Sequence, residues 1–282
     1  MIEISKNEPG TLYICGTPIG NLEDITFRAL NILKEVDLIA CEDTRETVKL
    51  LNHFQFSKKL LSYHEHNEKS RAEEIIKLLL DGKNIALVSD AGMPTISDPG
   101  NILVQHAIEN KIVIIPISGP SAFLLTLTVS GFDLSSFIYI GFLSREKKKK
   151  EKIIESLINE NRTVVFYESP HRLLDTLKCL NTFLNKRKLC IGRELTKKFE
   201  QIWRGYPEEA INYYLINRPR GEFCIVIEGC SEVTLEKNAL NFEERLNELL
   251  VLNFSKKEIS KILAKEFNLS SKNIYNQLIQ KN

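Results

Sequence analysis

Residues 12–26 read LYICGTPIGNLEDIT. The apolar run Leu12–Cys15 leads into a glycine turn, and a helical pattern follows over Ile25–Glu35. Asp24 is its expected cap, with Phe27, Leu30, Leu33 and Lys34 at helical spacing. Strand, glycine turn and helix is the layout of a phosphate cradle. The residues inside the loop argue against that use. A P-loop follows its second glycine with a lysine for the phosphates and a hydroxyl for magnesium. Here Gly20 is followed by Asn21, Leu22 and Glu23, and Glu23 and Asp24 would repel phosphate. A dinucleotide fingerprint needs a second glycine where Pro18 stands. The loop suits a ligand that is not a polyphosphate.

The same rhythm continues along the chain. Apolar runs at Leu38–Cys41, Leu60–His64, Ile85–Ser89 and Ile112–Ile117 alternate with helical patterns at 44–54, 69–80 and 102–109. Continuous apolar strands separated by helices predict a mostly parallel sheet covered on both faces. Past Gly131 the strands Phe137–Phe142, Thr163–Tyr167, Leu189–Arg193, Glu200–Trp203 and Glu222–Ile227 follow one another more directly. That predicts a second α/β domain with a mixed sheet. The expected division is 1–120, 121–230 and a C-terminal part, 231–282. Gly229–Asn241 is polar and reads as a linker. Three helical patterns follow, over 242–252, 255–265 and 271–280, in the style of a helix-turn-helix unit. "SKKE" at 255–258 is a capping box.

Two more loops share the character of the first. "SDAGMPTISDPG" (89–100) and "ISGPSAF" (117–123) each follow a strand, and glycine and proline shape both. Three such loops at carboxyl ends of strands imply one shared crevice. Asp90 and Asp98 make it acidic, which favours a cationic or hydroxyl-rich ligand.

The chain is 43% apolar with a formal net charge of +1, so any nucleic-acid site must be a local patch rather than a global field. No apolar run approaches the length of a membrane span, and the first ten residues show no signal core. Six cysteines without a CxxC pair read as buried, reduced thiols, which places the protein in the cytoplasm. No Cys/His spacing fits zinc, and no metal is expected.

"GTPIGNLEDIT", "ACEDTR" (40–45), "YHEHNE" (63–68), "LVSDAGMPTISDPG", "ISGPSA", "FYESPHRL" (166–173), "GRELTKKFE" (192–200) and "RGEFCIVIEG" (220–229) occur in this order. Together they closely resemble the small-subunit ribosomal RNA methyltransferases of the tetrapyrrole methylase superfamily, the class III S-adenosylmethionine-dependent methyltransferases. The resemblance covers almost the whole chain and extends to the helix-turn-helix tail. It implies 2′-O-methylation of a cytidine ribose in 16S ribosomal RNA at the decoding centre. It also implies a homodimer, with S-adenosylmethionine as donor between the two α/β domains. Carried over by position, Pro18, Asp90, Gly92, Met93, Ser121, Ala122, Tyr167 and Glu168 would hold the donor, with Gly221 and Glu222 nearby. The expected partner is the small ribosomal subunit; neither DNA nor a membrane is expected.

A ribose hydroxyl is a poor nucleophile, so a base or a stabilising cation should stand within about 3 Å of it. Glu42 and Glu194 are the candidate bases, with Arg45 and Arg193 holding phosphate. For Glu42 and Asp43 the plainer reading is helix capping and a salt bridge to Arg45. His64, Lys197 and Lys198 are candidate RNA contacts. So are Lys147 and Lys148 in "SREKKKKEK" (144–152), although such a run is also an ordinary solvated helix face. Two rivals remain at this point. One is a corrin or porphyrin methylase, which would need neither the lysine run nor the basic tail. The other is a non-catalytic RNA-binding assembly factor, against which the intact glycine–proline loops count.

Overall fold

The computed structural model describes residues 8–230, 232–267 and 269–280. The reading of the N-terminus as lacking a signal core falls largely on residues 1–7, outside the described part. The chain forms two compact units. One holds the described residues through Leu125 together with Gly192–Gln201; the other holds Thr126–Ile191 and the described residues from Ile202 onward.

The first unit is built on β1 (Thr11–Cys15), β2 (Leu38–Cys41), β3 (Leu60–Ser62), β4 (Ile85–Val88) and β5 (Val113–Ile117), in the spatial order β3-β2-β4-β1-β5. The pairs β1–β4, β1–β5, β2–β3 and β2–β4 are all parallel. Helices α1 (Phe27–Glu35), α2 (Thr44–His53), α3 (Glu68–Leu80) and α4 (Asn101–Glu109) connect them. β2 and β4 are buried at every position, and separate apolar clusters form around Leu12, Leu38 and Ile75 and around Leu33, Ile39 and Leu51. A sheet covered on both faces explains why these strands are continuous apolar runs rather than alternating ones.

Register decides the site. Cys15 and Cys41 both pair with Val88, Cys15 also with Ile117, and Cys41 with Ser62. The next residue of every strand therefore lies on one lip: Gly16, Glu42, Tyr63, Ser89 and Ser118.

Three local expectations need correction. Asp24 does not cap α1. Asn21 Oδ1 accepts from the Glu23 N–H and caps a 3₁₀ turn, Leu22–Asp24. Ile25 and Thr26 are then extended, and Thr26 Oγ1 accepts from the Ala29 N–H at 3.0 Å. β3 ends at Ser62, which leaves His64 in the following loop. A short helix, α5 (Ala122–Thr128), occupies a stretch in which the sequence pattern predicts no element.

The second sheet has the order β6-β7-β10-β8-β9, with β6 (Phe137–Phe142), β7 (Thr163–Glu168), β8 (Leu189–Arg193), β9 (Gln201–Gly205) and β10 (Phe223–Ile227). β6 runs parallel to β7, and β10 antiparallel to it, so this sheet is mixed. α6 (Lys147–Ser156), α7 (Leu173–Leu184) and α8 (Pro207–Ile216) accompany it, and Phe166, Leu177, Leu180 and Ile225 are fully buried in its core. α9 (Glu232–Val251) runs through the stretch that composition reads as a linker. α10 (Lys256–Glu266) and α11 (Ser271–Gln280) follow it. Ser255 and Glu258 form the expected capping box. Among the described residues no helix is long and apolar enough to cross a membrane. Five of the six cysteines are buried, and burial pushes the Cys15 thiol up to about 12.

Candidate active site

The three glycine–proline loops of the first unit are locked together by their main chains. Thr17 and Gly92 exchange both backbone hydrogen bonds, at 2.9 and 3.0 Å, and Thr17 Oγ1 donates to the Ser89 carbonyl at 2.9 Å. Gly16 N–H donates to the Ile117 carbonyl. A Cβ on Gly16 would lie 2.6 Å from Gly119 Cα and 2.6 Å from Met93 Sδ, so loops one, two and three meet at a point where only glycine fits. Gly92 has φ +85°, a conformation that side chains rarely adopt. Thr95 and Ser97 share positive φ without being glycine, so the second loop holds backbone strain as it delivers Asp98.

Beside this clamp lies a cavity of about 180 Å³, lined by Thr17, Pro18, Leu22, Ser89, Asp90 and a face of α2 comprising Glu46, Thr47, Lys49 and Leu50. Its one lysine is matched, since Lys49 Nζ lies 2.6 Å from Glu46 Oε1. Asp90 adds a carboxylate that no lysine of the cavity pairs.

Three carboxyl groups influence one another here. Asp43 N–H donates to Asp90 Oδ1 at 3.0 Å, and Asp90 N–H in turn donates to Glu42. Burial and the neighbouring Asp90 charge push Glu42 above the usual carboxylate range. Burial likewise raises Asp90, with Asp43 and Glu46 adding to it against the hydrogen bond from Asp43 N–H. Asp98 is raised furthest, to about 7, by burial and then by Glu42, although Ser89 donates to it. Separated carboxyl affinities at the lip of an α/β sheet suit proton handling near neutral pH.

The plainer reading holds for Asp43 and not for Glu42. Asp43 caps α2 by accepting from Arg45 N–H at 2.8 Å and grips the Arg45 guanidinium through both carboxylate oxygens. The pair holds Asp43 down at about 2. Arg45 remains 84% exposed and oriented. His64 takes part in a local turn: its N–H donates to Asn67 Oδ1, its Nε2 lies 3.2 Å from Asn67 Nδ2, and its buried Nδ1 has no hydrogen-bond partner among the described residues.

"RELTKK" forms a strap in the first unit. Glu194 and Thr196 have φ of 49° and 64°, Lys197 Nζ lies 3.0 Å from Glu194 Oε1, and Thr196 Oγ1 accepts from Asn21 N–H at 3.0 Å. A Cβ on Gly20 would come within 2.3 Å of Lys197 Cγ, so the second glycine of the opening stretch exists to admit this strap. Lys198 Nζ stands over the Phe199 ring. Ser121 accepts through its carbonyl from Leu125 N–H, with Ala122 beginning α5.

In the second unit Tyr167 packs edge-on against Tyr139, while the Glu168 side chain is fully buried. Glu168 Oε2 accepts from Thr176 Oγ1 at 2.6 Å, Oε1 accepts from Ser169 N–H, and Arg172 is 3.6 Å away. Lys147 and Lys148 are exposed, but Lys150 of the same tract is buried with Nζ 3.3 Å from Thr176 Oγ1, so the tract is only partly a solvated face.

Sequence reasoning did not single out Thr17, Thr47 or Ser89 for the site. Thr17 was findable, because it lies between the two glycines already quoted. Thr47 carries no signal, since only the seating of α2 brings it to the cavity. Among the described residues no cluster of His, Cys, Asp and Glu has a metal-holding arrangement.

A parallel sheet with clamped glycine–proline loops and a carboxylate trio at its lip, in a chain with a second mixed sheet, defines a methylase class. The profile of the Tetrapyrrole (Corrin/Porphyrin) Methylases matches residues 11–211, and the chain belongs to that family. The fold agrees: the methyltransferase CobJ superimposes with a TM-score of 0.60 at 16% identity, over 78% of this chain and 95% of that one. Uroporphyrin-III-C-methyltransferase from Thermus thermophilus gives 0.54 at 16%, over 77% and 94%.

Within the family the chain is similar to the Ribosomal RNA small subunit methyltransferase I of Halalkalibacterium halodurans, 46% identical over 96% of this chain and 95% of the relative. The protein of that name from Synechocystis is 46% identical over 94% and 96%. The one from Thermotoga maritima is 49% identical over 78% of this chain and 99% of its own. The chain is a methyltransferase.

Proposed function

We propose that this chain transfers a methyl group from S-adenosylmethionine to the 2′-oxygen of a cytidine ribose in 16S ribosomal RNA, at the decoding centre. The observation that supports this most is near-full-length similarity to relatives named for small-subunit ribosomal RNA methylation. The choice of cytidine and of its 2′-oxygen rests on the ordered motifs from "GTPIGNLEDIT" to "RGEFCIVIEG". The same resemblance supports a homodimer acting in the cytoplasm.

The residues present fit such a donor. A sulfonium is a cation, and the lip offers Asp90, Glu42 and Asp98 with no unmatched lysine in the cavity. The cavity of about 180 Å³ accommodates one portion of the donor, beside Pro18 and Asp90. By the same resemblance Gly92, Met93, Ser121 and Ala122 of the second and third loops are proposed donor contacts, and so are Tyr167 and Glu168.

When bound, S-adenosylmethionine supplies an already activated methyl group, so alignment does much of the remaining work. The chain must hold the ribose in line and take up its hydroxyl proton. Glu42 is the base of this reading, because its raised affinity brings it closer to neutral pH. Glu194 is the second candidate. Arg45, oriented by Asp43, is the proposed phosphate contact together with Arg193, and His64, Lys147, Lys148, Lys197 and Lys198 are the proposed RNA contacts.

Calorimetry with S-adenosylmethionine, followed by labelled-methyl incorporation into small subunits lacking the modification, tests the reading. Donor binding and one ribose methyl per subunit is the expected result. Donor binding without incorporation overturns it in favour of a binding factor. Incorporation into a tetrapyrrole but not into subunits overturns it in favour of the corrin and porphyrin branch.

A further inference from the structure

The last three helices lie outside the family match, which ends at residue 211. They possess their own apolar cluster, in which Leu246 and Leu249 of α9, Ile259 and Leu263 of α10, and Ile274 and Leu278 of α11 are buried together. Phe242 and Phe267 close one end edge to face, 5.2 Å apart. α10 and α11 meet through small residues, with Ser271 Oγ 3.3 Å from the buried Ser260 Oγ. A self-contained helical unit of this kind can present its outer faces to a partner.

Those faces have an uneven charge distribution. Lys257, Lys261 and Lys265 recur at intervals of four on α10, so they form one stripe, spaced about 6 Å apart along the axis. All three are exposed, as is Lys272 on α11. None of the four is ion-paired among the described residues. Of the acids in this helical unit, Glu266 binds Arg245 through two hydrogen bonds of 2.8 and 2.9 Å, Glu248 binds the same arginine, Glu258 caps α10 with Lys261 nearby, and Glu243 and Glu244 lie on α9 rather than on α10 or α11. α11 contains no acidic residue, and its exposed side chains include Asn273, Tyr275, Asn276 and Gln277. Unpaired lysines in a stripe, beside amides and an aromatic ring, complement a phosphate backbone with accessible sugar and base edges. The chain as a whole is nearly neutral, so attraction to a polyanion has to come from such a local patch.

We infer that the outer face of α10 and α11, with Lys257, Lys261, Lys265 and Lys272, docks the backbone of the substrate RNA at a distance from the reacting nucleotide. This rests on the RNA-methylating reading above for the identity of the RNA. The face contributes affinity and does not touch the chemical step.

The test uses the full-length protein with Lys257, Lys261, Lys265 and Lys272 all changed to Gln, and a second variant with all four changed to Arg. Binding to small subunits is measured from 50 to 200 mM salt, alongside methyl-transfer kinetics and donor calorimetry. The Gln variant is expected to bind at least ten-fold more weakly, with a log–log salt slope shallower by about 2–4, since each lost phosphate contact removes about one. Its KM for subunits rises while kcat and donor affinity stay at wild-type values, and the Arg variant keeps the wild-type slope. Wild-type affinity and slope in the Gln variant would overturn the inference. So would lysine-dependent binding that survives digestion of the RNA, because the partner would then be protein. A wild-type enzyme that binds RNA through these lysines but methylates none leaves this surface standing and removes the proposed reaction instead.

Discussion

Gly16 and Gly119 stand backbone to backbone: a Cβ built on either falls 2.6 Å from the other's Cα. This contact joins the loop after β1 to the loop after β5, and Met93 of the second loop closes on the same point. Gly16→Ala therefore forces main chains apart rather than merely filling a gap. The expected cost is about 1–3 kcal/mol in urea denaturation, in the range of an overpacked core. Donor affinity should fall by more than the loss of stability explains, because Thr17, Pro18 and Asp90 move with the clamp. A Gly16→Ala protein that binds S-adenosylmethionine as wild type would separate the clamp from the site.

Asp98 sets a pH dependence with a definite sign. Its carboxyl is raised from 3.8 to about 7 in the folded chain, by burial and then by Glu42. Between about pH 4 and pH 7 the native state holds a proton that the unfolded chain has released. Stability therefore declines as pH rises through that window, and the full cost of the buried charge is felt above it. Asp98→Asn should flatten this decline and exceed wild type in stability at pH 8. Paired denaturation curves at pH 5 and pH 8 decide it. If the Asp98→Asn variant and wild type ran parallel at both, Asp98 would titrate as an ordinary surface acid.

Thr26→Ala and Asp24→Ala separate what the residues announced from what the fold did. Apolar runs locate each of the ten described strands, most sharply β2, β4 and β10, where burial at every position leaves an unbroken apolar run. The helix start was misplaced by two residues, since an acidic residue before an apolar run looks like a cap whether or not a 3₁₀ turn intervenes. Thr26 is the residue whose hydroxyl accepts from Ala29 N–H. Thr26→Ala is expected to cost about 1 kcal/mol and Asp24→Ala close to nothing, by thermal or urea unfolding. The clamp glycines were legible as glycines in turns, but not their pairing, which depends on strands β1 and β5 being neighbours although most of the unit separates them in sequence.

Lysines 147–150 look equivalent in the sequence and are not. Lys147 and Lys148 are exposed, whereas Lys150 is buried on Thr176, whose hydroxyl also serves the buried Glu168. Only the packing of α6 on α7 distinguishes them. Thr176→Val leaves a buried carboxylate short of a partner and is expected to destabilise by about 1–3 kcal/mol. Lys148→Gln should stay within about 0.5 kcal/mol of wild type. Chemical denaturation of the two variants measures the contrast, and a neutral Thr176→Val would show that Ser169 N–H and Arg172 suffice for Glu168.

The two candidate bases differ in what already surrounds them. Glu194 is ion-paired to Lys197 in a strap with positive φ at Glu194 and Thr196, which suits holding the strap over Gly20. Glu42 accepts from Asp90 N–H, sits half-buried beside two other carboxyls, and is raised in proton affinity. A general base works better as its proton affinity approaches the working pH, and the raised affinity of Glu42 moves it in that direction. Single-turnover methylation at saturating donor and RNA is expected to fall about 10²–10⁴-fold in Glu42→Gln, the range for loss of a general base. The acid limb of the wild-type pH–rate profile should vanish with it. Glu194→Gln should instead act on RNA binding, raising KM with the chemical step retained. A Glu42→Gln enzyme with the wild-type rate and the wild-type acid limb would take Glu42 out of the proton transfer and leave alignment alone to account for the reaction.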